Sequence, residues 1–367
     1  MKFRCSKAVL AKGVNTVLKA VSAKSTVTIL QCILVEAAFN GVKLTANNTE
    51  LGIETMLDAE VVEPGTVALD AKIFSEIVRK LPDNEVTVSC GLNYITEIRC
   101  GRTKLTIAGL MGEDFERLPY VERRGALSVS ELSLRDVIRQ TIFSIAENDS
   151  NRMMMGELFE MRENRLRVVS LDGHRISVRC LNLKENYGHY EVIVPGKTLQ
   201  ELAKILEGGA DNMVDVYFSD SYILFEFGRI RVVSRVVEGT YFPIDQMMSG
   251  DYNTKVVVNR RELIDCLDRA SLLVREGDRK PIVMDIKEDS MGLSIRTAIG
   301  SMNDELDIRK EGEDLLIGFN TKFFLDALRV LDEEEVTIYL SGRRFPCYIR
   351  DEADTYNYMI LPVNFVV

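Results

Sequence analysis

"DAKIFSEIVRKL", residues 70–81, returns twice in altered form, as "PGKTLQELAKIL" at 195–206 and "NTKFFLDALRVL" at 320–331. Lys72, Lys197 and Lys322 stand 125 residues apart and then 125 again. Each window repeats an acid (Glu76, Glu201, Asp326), a base (Arg79, Lys204, Arg329) and a closing leucine (Leu81, Leu206, Leu331) at the same offsets. Agreement of three windows at one fixed period marks an internal triplication.

The middle window also imitates something else. "VIVPGKTLQELAKIL", 192–206, reads as an apolar strand, a Gly-Lys-Thr turn and an amphipathic helix, the layout of a phosphate-cradling loop. Such a loop needs a glycine five residues before Gly196, and the chain has Glu191 there, a carboxylate that would repel phosphate. In the sister copies the slot holds Ala71-Lys72-Ile73 and Thr321-Lys322-Phe323, so only the lysine is shared. A nucleotide-using phosphotransferase acting through Lys197 stays as a minor alternative.

The surroundings repeat too. A short apolar strand precedes each window (67–69, 192–194, 317–319), and alternating strands follow it, such as "NEVTVSC", "NMVDVYF" and "EVTIYLS". A second helical stretch opens each copy: "KAVLAKGVNTVLKAV" at 7–21, "SLRDVIRQTIFSIAE" at 133–147 and "RRELIDCLDRASLLV" at 260–274. Each copy therefore comprises two helices and about eight short strands, with a hairpin expected at Asn40-Gly41 in the first. Polar or glycine-bearing stretches, "PYVERRGAL" (119–127) and "DQMMSGDYNTK" (245–255), divide the chain into expected domains 1–121, 122–248 and 249–367. The fold class is α+β: three repeated units, each two helices packed on antiparallel sheets.

Composition narrows the function. The 367 residues suffice for two or three cores, and no stretch reaches the eighteen apolar residues of a membrane span. Lys7 and Lys12 interrupt the N-terminus where a signal peptide would be apolar, so a cytoplasmic protein without membrane partners is expected. Seven scattered cysteines without a C-x-x-C pair, and only two histidines, argue for reduced thiols and against a metal site; no cofactor is implied.

A net charge of −10 speaks against nucleic acid, but it does not say where charges sit. Lysine and base seven residues apart share one helix face: Lys72 with Arg79, Lys197 with Lys204, Lys322 with Arg329. Arg135 and Arg139 add bases to a partner helix. One such face is ordinarily a solvated surface; three in an acidic protein point to a segregated surface that meets a polyanion. Without tryptophan or a base-reading motif, it would hold phosphates regardless of sequence.

The middle copy carries an extra. "SLDGHRIS", 170–177, aligns with "ANNTELG" (46–52) and "TAIGSMN" (297–303), so the corner does not require Asp-Gly-His-Arg. A tight turn with Gly173 at positive φ and a docking role are both open. The C-terminus, "YMILPVNFVV", is mostly apolar to Val367, as a core strand or a docking surface would be.

These residues, with the opening "MKF", "DGHR" before an apolar residue, "YFPI" at 241–244 and Leu361-Pro362, resemble the bacterial DNA polymerase III β subunit family of sliding clamps over the whole chain. The resemblance implies a homodimer closed head to tail into a ring around double-stranded DNA. DNA polymerase III, other polymerases, the clamp loader and repair proteins would insert short motifs into a cleft between the second and third units. That cleft would be lined by Met155, Leu171, Gly173, His174, Arg175 and Ile176, by Pro243, Met247 and Met248, and by Met359, Leu361, Pro362 and Val363, with His174 and Arg175 as polar groups at its rim. Lys24 aligns with a DNA-contacting basic residue in the loop after the first helix. At the dimer seam, Leu105 and Ile107 would meet Leu272 and Leu273 of the partner subunit, with Asp304 and Glu305 facing Arg102 and Lys104. The chain departs from the family in Leu171 for threonine, in lacking a basic residue near Met247, and in Thr28 for proline; "RMMMGELF" is one residue short, which leaves Met154 as the alternative wall to Met155; and the tail extends through Asn364-Phe365-Val366-Val367. A processivity factor, and not an enzyme, is thus the leading reading, ahead of a monomeric repeat scaffold for protein binding.

Overall fold

Polar residues just before the repeated helices set their starts. In the computed structural model, which describes residues 1–22, 25–148, 151–248, 251–275 and 280–365, the helices are α1 (Lys7–Val17), α2 (Ala71–Lys80), α3 (Glu131–Thr141), α4 (Gly196–Ile205), α5 (Ile244–Met247), α6 (Arg260–Ser271) and α7 (Thr321–Val330). Side-chain oxygens of Ser6, Asp70, Asn259 and Asn320 accept backbone N–H groups in the first turns of α1, α2, α6 and α7, each cap contributing about 1 kcal/mol. The hairpin forms one residue earlier than its dipeptide suggests: Phe39 and Asn40 make the loop, and Gly41 already pairs with Ala38.

The chain divides into two compact units, Met1–Leu134 with Gln200–Val236, and Arg135–Leu199 with Val237–Val367. Unit 1 holds a thirteen-stranded antiparallel sheet and unit 2 a twelve-stranded one. This division does not follow the repeat, because the middle copy gives strands to both sheets. In unit 1 its strand Ile230–Arg235 pairs with Leu51–Leu57 of the first copy; in unit 2 its strand Arg175–Asn182 pairs with Tyr356–Ile360 of the third.

The pleat sends alternate residues to opposite faces. On one face of the unit 2 sheet, Tyr356, Tyr358 and Ile360 join Leu263 and Leu267 of α6 and Phe324 and Leu328 of α7 in a continuous core. On the other, Leu158, Val169, Leu171, Ile176, Val178 and Met359 form a second cluster, under Tyr241, Phe242 and Met248. Each fully buried Leu, Ile or Phe there contributes roughly 1.5–3 kcal/mol relative to exposure. All seven cysteines are free; six are buried, and burial with nearby Asp304 pushes the Cys266 thiol up to about 12. No helix among the described residues is long and apolar enough to cross a membrane.

Candidate protein-docking seam and basic helix faces

The corner between Arg165–Leu171 and Arg175–Asn182 is built by Asp172. Its Oδ1 accepts the backbone N–H groups of His174 (3.0 Å) and Arg175 (3.1 Å), and its Oδ2 accepts Arg175 Nε at 2.9 Å. Gly173 turns the chain at φ +83°, as the sequence leads one to expect. Beyond the corner, alternation points Arg175 to the helix face and Ile176 to the opposite one.

Arg175 is 5 % exposed. Its Nη1 donates to Asp326 (2.7 Å) and Tyr358 Oη (3.4 Å), its Nη2 donates to the Phe143 carbonyl, and its guanidinium carbon lies 4.4 Å from the centroid of the Phe323 ring. Burial opposes its charge, but Tyr358, Asp326 and Asp172 more than offset that and hold it ionised. Rather than a polar rim, Arg175 is an internal post that ties the corner to α7. Asp326 is the acid of the triplicated window. In the other copies that acid pairs along its own helix, Glu76 with Arg79 and Glu201 with Lys204; here Arg175 takes it, and Arg329 turns to Asp268 of α6 instead (2.5 Å).

His174 is exposed, stacks on Phe323 at 6.2 Å between centroids, and its carbonyl accepts Leu361 N at 2.9 Å. The two sequence oddities, the Asp-Gly-His-Arg corner and the apolar C-terminus, therefore meet. Leu171 and Ile176 (1 % exposed each) and Met359 (4 %) form the floor of the expected cleft. Met153, Met154, Met248 and Leu361 pack over that cluster, partly exposed, so the floor is covered. Met153 and Met154, not Met155, supply the methionines on that side. Pro243, Met247 and Gly173 are exposed at the margin. Pro362 and Val363 lead away: Val363 N donates to Gly318 O (2.8 Å), and Phe365 lies against Gly318 and within 5.8 Å of Arg343. Beside the seam a cavity of about 320 Å³ shares Met248 and Val178 and runs to Arg162, Arg165 and Arg167, where Arg167 bridges Glu160 (3.3 Å) and Asp245 (2.7 Å).

The bases separate into two kinds. Arg79, Lys204 and Arg329 are paired with acids as above, Arg139 lies 3.2 Å from Asp332, and Arg135 is half-buried and engaged. Lys72, Lys197 and Lys322 are exposed and make no ion pair among the described residues. Each sits in the first turn of its helix, where the helix dipole disfavours a cation and favours an anion; no intrahelical reason accounts for it. Lys24 lies outside the described residues. Gly196 is no phosphate loop: a Cβ there would overlap Ile145 and lie 3.0 Å from the Met155 carbonyl, so its absence serves packing.

Two strand edges are half open. Thr103–Leu110 pairs fully with Ile95–Cys100, but only Gly109 and Leu110 pair on its other side. Ser301–Gly312 pairs with Ser290–Arg296 through residues 301–307 and with Thr254–Asn259 through 308–312, which leaves the other side of 301–307 without a strand partner among the described residues. Leu105 and Ile107 alternate, half-buried, on the first edge. Leu272 is 78 % exposed, whereas Leu273 packs partly against its own core. The expected charge contacts already have other partners: Lys104 pairs with Glu97 (2.6 Å) and Asp304 with Arg269. Arg102 and Glu305 make no ion pair among the described residues.

Sequence reading missed Glu157, fully buried on Gly156–Arg162 with neither carboxyl oxygen hydrogen-bonded among the described residues. Burial holds its carboxyl well above the usual range. The nearby Thr141 hydroxyl donates to the Val137 carbonyl (2.8 Å). An acid flanked by Met155, Leu158 and Phe159 is a signal that burial scoring of the strand could have caught.

Repeated helix pairs on antiparallel sheets, joined copy to copy by strand pairing, define a DNA-clamp fold. Family models for the N-terminal, central and C-terminal domains of the DNA polymerase III beta subunit match residues 1–119, 128–243 and 246–364. The beta sliding clamp of Bacillus subtilis is 33 % identical over 99 % of this chain and 100 % of its own, and that of Staphylococcus aureus strain Mu50 is 32 % identical over 99 % of each. A crystal structure from Eubacterium rectale, described as a DNA polymerase III beta subunit, superposes with a TM-score of 0.96 at 56 % identity, and that of the B. subtilis sliding clamp with 0.96 at 32 %, each covering 100 % of both chains. The chain belongs to the DNA polymerase III beta subunit family, the beta sliding clamps.

Proposed function

We propose that this clamp works without catalysis, as a cytoplasmic processivity factor. Two copies close head to tail around duplex DNA, each joining its Thr103–Leu110 edge to the Ser301–Gly312 edge of the other. Reciprocal pairing of two half-open edges is what a closed ring needs, and a monomeric scaffold would leave both open. Lys24, Lys72, Lys197 and Lys322 hold phosphates without reading bases. Polymerases, the clamp loader and repair proteins dock peptide segments on the seam over Leu171, Ile176 and Met359, whose methionine cover can repack around different apolar anchors.

The observation that carries the docking reading is the partly exposed cover of Met153, Met154, Met248 and Leu361 over Leu171, Ile176 and Met359, beside the corner peculiar to one copy. A peptide with a leucine and an aromatic anchor, titrated calorimetrically into the dimer, tests it. Leu361→Ala should lower its affinity about tenfold, roughly 1.4 kcal/mol, with dimer mass unaltered. Equal affinities for variant and wild type would put the partner site elsewhere.

A further inference from the structure

Every pairing at the unit 2 seam has a counterpart in unit 1. Ile176 lies between Leu171 and Met359, with Tyr348 beyond. Gly52 lies between Asn47 and Val233, with Leu224 beyond. The register is the same, at the same step of the repeat, yet the side chain that forms the centre of the floor is missing at Gly52.

That space is filled. A Cβ on Gly52 would overlap the side chain of Leu118. Leu118 and Val121, from the segment that ends the first copy and leads into the second, pack on Leu224 and Val233, and Val121 is 1 % exposed. Polar contacts hold the segment at both ends. Asn47, at the position equivalent to Leu171, donates from Nδ2 to the Glu116 carbonyl (3.4 Å), and Arg123 forks onto Glu226 with both bonds at 2.7 Å. The unit 2 seam is covered instead by partly exposed methionines and Leu361, and no such fork lies over it among the described residues.

We propose that residues 116–123 are a built-in occupant of a second, latent peptide site. The segment supplies the leucine anchor that a partner would bring and closes the first seam, so that each chain takes one partner peptide although the repeat builds two seams. This inference rests on the reading of the unit 2 seam as the docking site. An occupant tethered at both ends acts at high effective concentration, which a free peptide of modest affinity does not overcome. The flexible methionine cover in unit 2 yields more readily.

Calorimetric stoichiometry with the same leucine- and phenylalanine-bearing peptide separates the two claims. Wild type should bind one peptide per chain, and Leu118→Ala combined with Arg123→Ala should bind two, with first-site affinity kept within twofold as the sign of an intact fold. One site in both overturns the latent site alone; none in wild type overturns the docking reading as well. Should the variant fail to fold, methyl-labelled wild type decides. Saturating peptide should shift Ile176 and Met359 resonances and leave Val121, Leu224 and Val233 unmoved, and movement of the latter three refutes the closed seam.

Discussion

Arg175 and Glu157 show two fates of a buried ionisable side chain. Arg175 is held charged by two carboxylates, a tyrosine, a carbonyl and two rings. Glu157 has no hydrogen bond to either oxygen among the described residues, and burial raises its proton affinity; burial first, and then the Glu157 charge, raise that of the Tyr241 phenol. A carboxyl whose native pKa exceeds its unfolded value of about 4.3 binds more protons when folded, so its contribution to stability is full below that value and is lost as pH climbs through the native one. Glu157→Gln should therefore melt like wild type near pH 4 and several degrees higher at pH 8, since roughly 1 kcal/mol moves Tm by about 2–4 °C in larger domains. Calorimetric melts across that range check it, and parallel curves would mean that Glu157 is not buried as described. The acids of the triplicated window were legible in the sequence; that one of them serves Arg175 was not, because periodicity gives a residue its face and not its partner.

Among the elements, the helices and most strands follow directly from caps, apolar spacing and alternation. The basic faces follow only in part: sequence put seven-spaced bases on one side, and packing divided them into paired residues and lysines without an ion pair among the described residues. Replacing Lys72, Lys197 and Lys322 together by Glu should weaken DNA association and flatten its salt dependence by roughly 0.9 in log–log slope per lost phosphate contact. Alanine at Arg79, Lys204 and Arg329 should do far less. Retention of nicked circular DNA across a salt series distinguishes them, and equal losses would remove the distinction drawn here. At the proposed dimer edge, Leu272→Ala is the cleaner probe because Leu273 also serves its own core. If Leu272 is buried between subunits, its truncation should weaken the dimer by roughly 1.5–3 kcal/mol and leave the melting of the monomer unchanged; a dimer of unaltered affinity by sedimentation would move the interface.

At the scale of the whole molecule, the period of 125 residues gave the triplication, but not the way the copies join. Strand pairing across copies, Val233 opposite Gly52 and Ile176 opposite Met359, lets the middle copy share a sheet with each neighbour. Alternation says that a strand exists and which side is apolar; nothing local names the strand beside it. The covered floor of the proposed docking seam and the filling of its counterpart by Leu118 were hidden for the same reason. Topology around DNA remains the central claim, and linearisation tests it most directly. Protein assembled by a clamp loader on a nicked circular plasmid should elute with the DNA at moderate salt and be released by one double-strand cut made away from the protein, because a ring slides off an end. Equal retention on cut and uncut plasmid would mean that the chain binds DNA by contact and does not encircle it.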